Sequence, residues 1–111
     1  MQKAHRIRTN GHFRYVYRNG KKASGQTMVA YYVKAGRMQA GFSVSKKVGC
    51  AVVRNRIKRR MRESFRLMMP LLRRGNYVFS AREGAARADY WTINREMTRL
   101  LVKIGAMKDR P

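Results

Sequence analysis

Apolar side chains recur at helical spacing near both ends of the chain. Between Thr9 or Asn10, either of which suits an N-cap, and Gly20, a suitable stop, they lie three and four residues apart. They are Phe13, Val16 and Tyr17. The same spacing returns between Asp89, as the N-cap, and Gly105, as the stop. It is carried by Tyr90, Ile93, Met97, Leu100 and Ile104. The pattern therefore predicts a short first helix and a longer last helix.

Three intervening segments predict strands, because they are short and rich in β-branched and aromatic residues. Residues 27–33 (TMVAYYV) form the first strand. Residues 40–45 (AGFSVS), which follow a turn over residues 35–39, are expected to be its antiparallel partner. Residues 76–81 (NYVFSA) form the third strand. With a helix over residues 51–69, this gives the order αββαβα around one sheet, a compact α/β sandwich.

The segment over residues 51–69 divides into two unlike faces when it is wound as a helix. Its apolar positions and one serine fall within an arc of about 80° and are expected to face the sheet. They are Val53, Ile57, Met61, Ser64 and Met68. Arg60 lies near this seam, where its aliphatic stem can pack while its charge reaches water.

The polar face of this helix is almost entirely cationic. Seven of the residues from Arg54 to Arg66 are Arg or Lys, and Glu63 is the only acid among them. Several cations stand four residues apart, an arrangement that costs roughly 0.2–0.5 kcal/mol per pair when nothing is bound. All but one are arginines, whose planar fork suits phosphate. This face therefore favours an anionic partner over simple solvation. Asn55 is either an exposed filler or a contact to a sugar or base edge.

The composition extends this conclusion to the whole chain. Its 111 residues carry 27 Lys and Arg against 5 Asp and Glu, a formal net charge of +22. No acid precedes Glu63. A chain that repels itself this strongly gains from a polyanion, since each neutralised phosphate also releases counterions. The length and the 44% hydrophobic content predict one RNA-binding domain over residues 1–111, with residues 1–8 as a basic arm.

Neither a secretory signal nor a membrane span is predicted. The first ten residues, MQKAHRIRTN, lack an apolar run, and no stretch approaches the roughly 18 apolar residues of a span. Cys50 is the only cysteine, so no internal disulfide can form, which fits a reducing compartment. We therefore expect a cytoplasmic protein with no membrane partner and no small-molecule substrate.

Aromatic residues are interleaved with cations in the first half of the chain. Such a mixture is typical of proteins that stack the bases of single-stranded RNA. The spacing of Phe13 and Tyr17, taken alone, slightly favours a core face. Tyr31 and Tyr32 must point to opposite sides of their strand, so at most one of them lies in a given core. Trp91 is expected to be a packing residue of the last helix.

No active site borne by the protein is indicated. His5 and His12 have no carboxylate nearby in sequence, and the five acids are scattered. Cys50 lacks a second cysteine at the spacing of metal ligands, and no glycine-rich phosphate loop occurs. We therefore expect no catalytic residue and no metal ligand on this chain.

One stretch, GFSVSKKVGCAVVRNRIKRRMRESFR, closely resembles the signature of the bacterial ribonuclease P protein subunit. In that family an S-V-S-K-K strand end leads into an R-N-R-x-K-R-x-x-R-E helix. Here these motifs are Ser43–Lys47 and Arg54–Glu63. The FRYVYRNGKK helix, the aromatic strand, the NYVFSAR strand and the last helix follow in the family's order. The resemblance therefore covers nearly the whole chain.

The resemblance implies a more specific fold than the pattern does. This is an α+β, single-domain αβββαβα two-layer sandwich, with an extra short strand near Ala23. Its crossover through the charged helix is left-handed, against the usual rule. The resemblance also implies a ribonucleoprotein endonuclease. In it, a large RNA subunit removes the 5′ leader of precursor tRNA with Mg²⁺, mainly RNA-bound, and the protein alone is inactive.

The resemblance assigns two groups of site residues. The RNR helix would contact the RNA subunit through Arg54, Asn55, Arg56, Lys58, Arg59 and Arg62. The leader would bind a cleft between the first helix and the sheet, formed by Phe13, Tyr17 and Tyr31 and edged by Ser45, Lys46 and Lys47. This assignment favours ligand contact over core for the three aromatic residues.

Two positions depart from the family pattern. Cys50 stands where the family commonly has Asn, and Cys is a weak N-cap, so the helix start is either looser or capped otherwise. Glu83 follows the last strand where some relatives carry Lys, and it is given no RNA-binding role.

Three other classes of protein compete with this reading. A small ribosomal protein has similar size, charge and aromatic content, but the RNR helix argues against it. A DNA-binding repressor is disfavoured because no helix-turn-helix spacing occurs. A protein nuclease is disfavoured by the lack of carboxylate clusters and metal ligands.

Overall fold

Three helices and a four-stranded sheet make up the computed structural model, which describes residues 5–108. The helices are α1 (Asn10–Asn19), α2 (Ala51–Met68) and α3 (Tyr90–Ile104). The strands are β1 (Lys21–Ser24), β2 (Met28–Lys34), β3 (Gln39–Ser43) and β4 (Gly75–Ala81). Short 3-10 helices cover Met69–Leu71 and Glu83–Arg87. The αβββαβα order is confirmed, and so is the short strand at Ala23.

The first and last helices begin and end where the sequence predicts. The Thr9 side chain accepts a hydrogen bond from the His12 backbone N–H at 3.1 Å, which makes Thr9 the N-cap of α1. Asp89 caps α3 by accepting from the Thr92 backbone N–H at 2.8 Å. Gly105 ends α3 with a φ of 85°, in the left-handed region that glycine enters at little cost.

The order of the strands corrects one prediction. The sheet runs β1-β2-β4-β3, so β3 does not pair with β2. Strand β4 lies between them, antiparallel to β2 and parallel to β3. The physical reason lies in β4, whose Tyr77, Val78 and Phe79 are all fully buried. A strand that is apolar on both faces needs a central position, and the long connection through α2 allows the parallel pairing.

The two faces of the sheet carry different cores. Helices α2 and α3 pack with the sheet in the main core, which contains Tyr32 of β2. Helix α1 covers part of the other face, where Val16 meets Val78 and Ile7 in a smaller core. Tyr31 packs against this smaller core. The prediction that Tyr31 and Tyr32 face opposite sides is therefore confirmed.

The structure changes what was expected of the basic arm and of Trp91. Of the basic arm, Lys3 lies outside the described residues. Ile7, by contrast, is buried, and its backbone N–H donates to the Ala40 carbonyl at 2.9 Å, so this part of the arm lies along the outer edge of β3. The prediction that Trp91 packs is wrong. Its side chain is 65% exposed, with its ring edge-on to Tyr90.

A single carboxylate ties α3 to the loop between β1 and β2. Glu96 accepts hydrogen bonds from the backbone N–H and the hydroxyl of Thr27, which is itself buried. Burial raises the pKa of the Glu96 carboxyl, but the hydrogen bonds from Thr27, followed by those from Gln26 and Arg99, together outweigh this effect, so the pKa is lowered. The neighbouring Gly25 has no side chain, and a Cβ there would lie 2.3 Å from the Glu96 carboxyl carbon. Thr27 therefore makes the contact with the Glu96 carboxylate, and Gly25 leaves room for it.

We expect Glu96→Gln to lower the free energy of unfolding at pH 7 by about 1.5–3 kcal/mol, because Thr27 then loses a charged acceptor. The lowered pKa means that the stabilisation is complete above the unfolded value, about 4.3, and is lost as the pH falls through the folded value. Urea unfolding at pH 7 and pH 3 measures this, with Glu83→Gln, at an exposed carboxylate, as the control. An equal deficit at both pH values would contradict the assignment.

Candidate nucleic-acid interface

Helix α2 is held on the sheet by one apolar seam. Four of the five residues predicted for the seam are buried, and the fifth, Val53, is half-buried. The Ser64 hydroxyl accepts from the Asn94 side-chain amide at 2.8 Å, which ties α2 to α3. Phe65, which the sequence analysis left out of the seam, is also fully buried. It lies four residues after Met61, so helical spacing alone identifies it.

The Phe65 ring packs α2 against the central strand of the sheet. Its centroid lies 5.2 Å from that of Tyr77 and 5.6 Å from that of Phe79 on β4. Phe42 of β3 completes the cluster, 6.1 Å from Phe65 and stacked on Phe79 at 5.7 Å. Aromatic pairs at these separations contribute about 0.5–1.5 kcal/mol each beyond their burial. One face of α2 is therefore packed against the sheet, and the opposite face is exposed to solvent.

Two of the seven cations on α2 are bound within the protein. Arg66 forms a salt bridge with Glu63, and Arg66 lowers the pKa of the Glu63 carboxyl. Arg60 donates to the Ala88 carbonyl at 2.6 Å, as its place near the seam predicts. The other five have no salt-bridge partner among residues 5–108: Arg54, Arg56, Lys58, Arg59 and Arg62. With Asn55 they are the residues that the family resemblance assigns to RNA.

These cations also lie close enough to perturb one another. Burial, with the charges of Arg6 and Arg59, lowers the pKa of the Arg62 guanidinium. The first turn of α2 contains no acid, although the positive end of the helix dipole favours one. An anion bound along this face removes both unfavourable contributions.

Three aromatic residues predicted to form a cleft do come together on the α1 face of the sheet. The Tyr17 ring lies 6.3 Å from Phe13 and 4.9 Å from Tyr31, measured between centroids. The Tyr17 hydroxyl hydrogen-bonds the Ser80 hydroxyl at 3.1 Å. Burial, followed by the neighbouring Tyr17, raises the pKa of the Tyr31 hydroxyl. All three rings are half-buried, so they contact the smaller core and solvent at once.

A glycine permits this arrangement. A Cβ at Gly41 of β3 would lie 2.6 Å from the Phe13 ring and 3.2 Å from the Ile7 Cβ. The ring therefore occupies the space that any larger residue at position 41 needs. The Gly in the AGFS segment consequently positions the aromatic residue of α1 over β3.

The aromatic cleft and the cationic face of α2 are continuous. A cavity of about 380 Å³ opens between α1 and the end of β3. It is lined by Asn10, Phe13, Arg14, Tyr17, Phe42, Ser43, Val44 and Lys58. A second cavity, of about 120 Å³, adjoins it, since Phe13, Phe42 and Lys58 line both, and it adds Arg6 and Arg62. Lys58, which the family resemblance assigns to the RNA-subunit contact, therefore also lines the cleft.

Sequence reasoning missed Arg14 and Phe42 in this cleft. Arg14 shares a helical face with Asn10 and Tyr17, at spacings of four and three, so the signal was present in the first helix. Phe42 was assigned only to a strand. Its position in the cleft follows from the edge location of β3, which the sequence did not predict.

The three residues predicted at the edge of the cleft lie in the connection from β3 to α2. Ser45, Lys46 and Lys47 are all exposed. Ser45 and Lys47 line a separate cavity, which also contains Gln26 and Arg82. The structure thus places them beside the end of the sheet where the cleft opens, and not in the cleft with the aromatic rings.

Cys50 occupies the N-cap position of α2 without performing its usual role. Its φ of −69° and ψ of 174° are those of an N-cap residue, but its side chain makes no capping hydrogen bond. The nearby Val53 backbone N–H nevertheless lowers the pKa of the exposed Cys50 thiol. The backbone at position 50 therefore already has the N-cap conformation, and only the capping side chain is missing.

Residues 5–108 offer little for other kinds of site. No group of three or more His, Cys, Asp or Glu side chains within that range is arranged to hold a metal ion. No helix in the same range is long and apolar enough to cross a membrane. The geometry is that of a basic, single-domain protein with an aromatic cleft beside a cationic helix, the arrangement of an RNA-binding protein.

Comparisons with known proteins identify the family. The sequence model of the family Ribonuclease P matches residues 1–105. A "Ribonuclease P protein component" of Caldanaerobacter subterraneus subsp. tengcongensis is 43% identical over 105 residues, covering 92% of this chain and 90% of its own. The solved RNase P protein of Staphylococcus aureus has a TM-score of 0.87 at 29% identity, covering 96% of this chain and 100% of that one. That of Thermotoga maritima has a TM-score of 0.79 at 29% identity, covering 89% and 96%.

The chain belongs to the ribonuclease P protein family. Membership makes it an RNA-binding component of a tRNA-processing ribonucleoprotein, part of an endoribonuclease holoenzyme. The resemblance read from the RNR helix is confirmed, and the ribosomal-protein, repressor and protein-nuclease alternatives are set aside. The individual roles assigned to site residues stay predictions.

We expect Cys50→Asn to raise the free energy of unfolding by about 1 kcal/mol, because an Asn side chain at the N-cap accepts from the N–H groups of the first turn. Chemical denaturation measures the change, and Cys50→Ala is the matched control. Since the cysteine makes no capping bond, the alanine variant should resemble the wild type. Equal stability of the Asn and Ala variants would show that α2 is capped in another way.

Proposed function

We propose that this chain binds both the catalytic RNA of ribonuclease P and the 5′ leader of precursor tRNA. The observation that carries the proposal is the continuity of the cationic face of α2 with the aromatic cleft at Lys58 and Phe13. A single RNA-bearing groove can therefore hold one nucleic acid against the helix and another against the rings.

The contact with the RNA subunit is assigned to the outer face of α2. Arg56, Arg59 and Asn55 are exposed there, and Arg54 is half-buried beside them. Arginine grips phosphate through two parallel N–H groups, which suits the backbone of a folded RNA. The five cations that have no salt-bridge partner among residues 5–108 give this face its affinity. Asn55 offers a neutral donor and acceptor for a sugar or base edge.

The leader is assigned to the cleft over β3. Its nucleotides are single-stranded, so their bases are available to stack on Phe13, Tyr17 or Tyr31. Arg14 and Lys58 line a cavity together with Phe13 and Tyr17, and we assign them to the phosphates. Stacking tolerates any base, which fits leaders of varied sequence.

The hydrolytic step is assigned to the RNA subunit. Mg²⁺ prefers several oxygen ligands, and the described acids of this chain are not grouped to supply them. Residues 5–108 therefore offer no metal site made of protein ligands alone, and we assign the protein no metal step. The protein's contribution is positive charge and binding surface, which lower the repulsion between two polyanions. The cytoplasmic location stays a prediction.

Reconstitution tests this division of labour. The purified protein alone should leave precursor tRNA intact, yet with a bacterial ribonuclease P RNA it should lower the Mg²⁺ concentration needed for half-maximal cleavage. Cleavage is followed on end-labelled precursor in a magnesium titration. Cleavage by the RNA-free protein, or an unchanged magnesium requirement, would refute the proposal.

The cleft assignment predicts a leader-specific defect in Tyr17→Ala. Loss of one stacking ring costs about 1–3 kcal/mol, so precursor affinity in the reconstituted holoenzyme should fall roughly 5- to 150-fold. Mature tRNA, which lacks the leader, should bind as before. Tyr17→Phe keeps the ring and removes only the hydroxyl that meets Ser80, so it should bind precursor nearly normally. Equal loss for precursor and mature tRNA would contradict the assignment.

A further inference from the structure

One large cavity of the described chain lies away from the proposed RNA groove. Its volume is about 830 Å³, and it opens at the end of the sheet where β1 and β4 begin and β2 ends. Strand β3 ends, and the leader cleft opens, at the opposite end. The seven residues of β2 separate the two ends by roughly 20 Å.

Cations from four parts of the chain converge on this cavity. Its lining includes five of them and no acid: Lys21, Lys34, Arg73, Arg74 and Lys108. They come from the start of β1, the end of β2, the loop before β4 and the segment after α3. Only the folded structure brings these positions together, because the sequence separates them widely.

Two buried tyrosines fix the loop that carries Arg73 and Arg74. The Tyr77 hydroxyl donates to the Arg73 carbonyl, and the Tyr32 hydroxyl donates to the Arg74 carbonyl at 3.1 Å. The Arg73 backbone N–H donates to the Ala106 carbonyl at 2.8 Å. Three main-chain polar groups of this loop are thus hydrogen-bonded inside the protein. Arg73 and Arg74 of this loop therefore contribute positive charge and hydrogen-bond donors to the cavity.

The negative ends of two helices offset only part of this positive charge. The C-termini of α1 and α3 lie at the cavity, where Asn19 and Gly105 line it. Each carries about half a unit of negative charge, so the two together offset about one cation. Lys108 also donates to the Pro70 carbonyl at 3.2 Å. A clear positive excess remains, centred on Lys21, Lys34 and Arg74, which are all exposed.

We propose that this cavity is a second phosphate-binding site, which holds the backbone of an RNA segment of the holoenzyme. The inference rests on the proposed function for its choice of RNA as the source of phosphate. A cavity that presents Arg and Lys donors without an acid suits a phosphodiester, and the apolar floor at Val33 and Ala35 suits a sugar. The RNA would then contact the protein at both ends of the sheet.

The test compares two double variants of equal charge. Lys34→Ala/Arg74→Ala removes two cations of the cavity. Arg37→Ala/Lys103→Ala removes one exposed Arg and one exposed Lys that do not line it. Affinity of the full chain for ribonuclease P RNA is measured from low to high salt. The cavity variant should lose affinity and reduce the slope of log affinity against log salt by about 1.5, relative to the charge-matched control.

Arg56→Ala, on α2, separates this inference from the proposed function. If Arg56→Ala weakens RNA binding and the cavity variant matches its control, the second site is refuted and the first stands. If the cavity variant alone weakens binding, the second site stands and the α2 assignment fails. A parallel NMR titration with inorganic pyrophosphate covers the other source of phosphate. Pyrophosphate shifts at Lys34 and Arg74 without an RNA effect would refute RNA as the ligand.

Discussion

Burial of one apolar seam holds a helix whose other face repels itself. Each like-charge pair on α2 costs roughly 0.2–0.5 kcal/mol, whereas each fully buried side chain of its seam contributes about 1.5–3 kcal/mol. Ile57, Met61 and Phe65 are all fully buried, so burial outweighs repulsion by a wide margin. The helix can therefore carry this cationic surface only because packing of Phe65 in the aromatic cluster holds the helix on the sheet. Charge and core are two faces of the same element.

The central strand couples that core to the RNA groove. Tyr77 and Phe79 of β4 meet Phe65 on one face of the sheet, while Val78 between them meets Val16 of α1 on the other. The same strand thus sets the position of the cationic helix and of the helix that bears Phe13 and Tyr17. The cleft between α1 and β3 therefore depends on β4, although β4 contributes none of the residues that line its cavity.

Much of this arrangement was predictable from local sequence. The helix caps at Thr9 and Asp89, the seam of α2 and the opposite orientation of Tyr31 and Tyr32 all depend on neighbours within a few residues. Errors occurred where distant segments compete. Residues 40–45 were predicted to pair with β2 as a hairpin, because the turn between them is short. In the structure β4 pairs with β2 instead. Trp91 was predicted to pack, but its side chain lies on an exposed part of α3.

The sequence by itself determined the charge, the elements and the family, since composition and the RNR motif require no contacts between distant residues. Only the tertiary structure decided that Lys58 joins the cleft, that Gly41 makes room for Phe13, and that cations from four segments share one cavity. The reason is physical. Helical spacing and charge are properties of short stretches, whereas a groove or a cavity exists only where packing brings separate stretches to within a few ångströms.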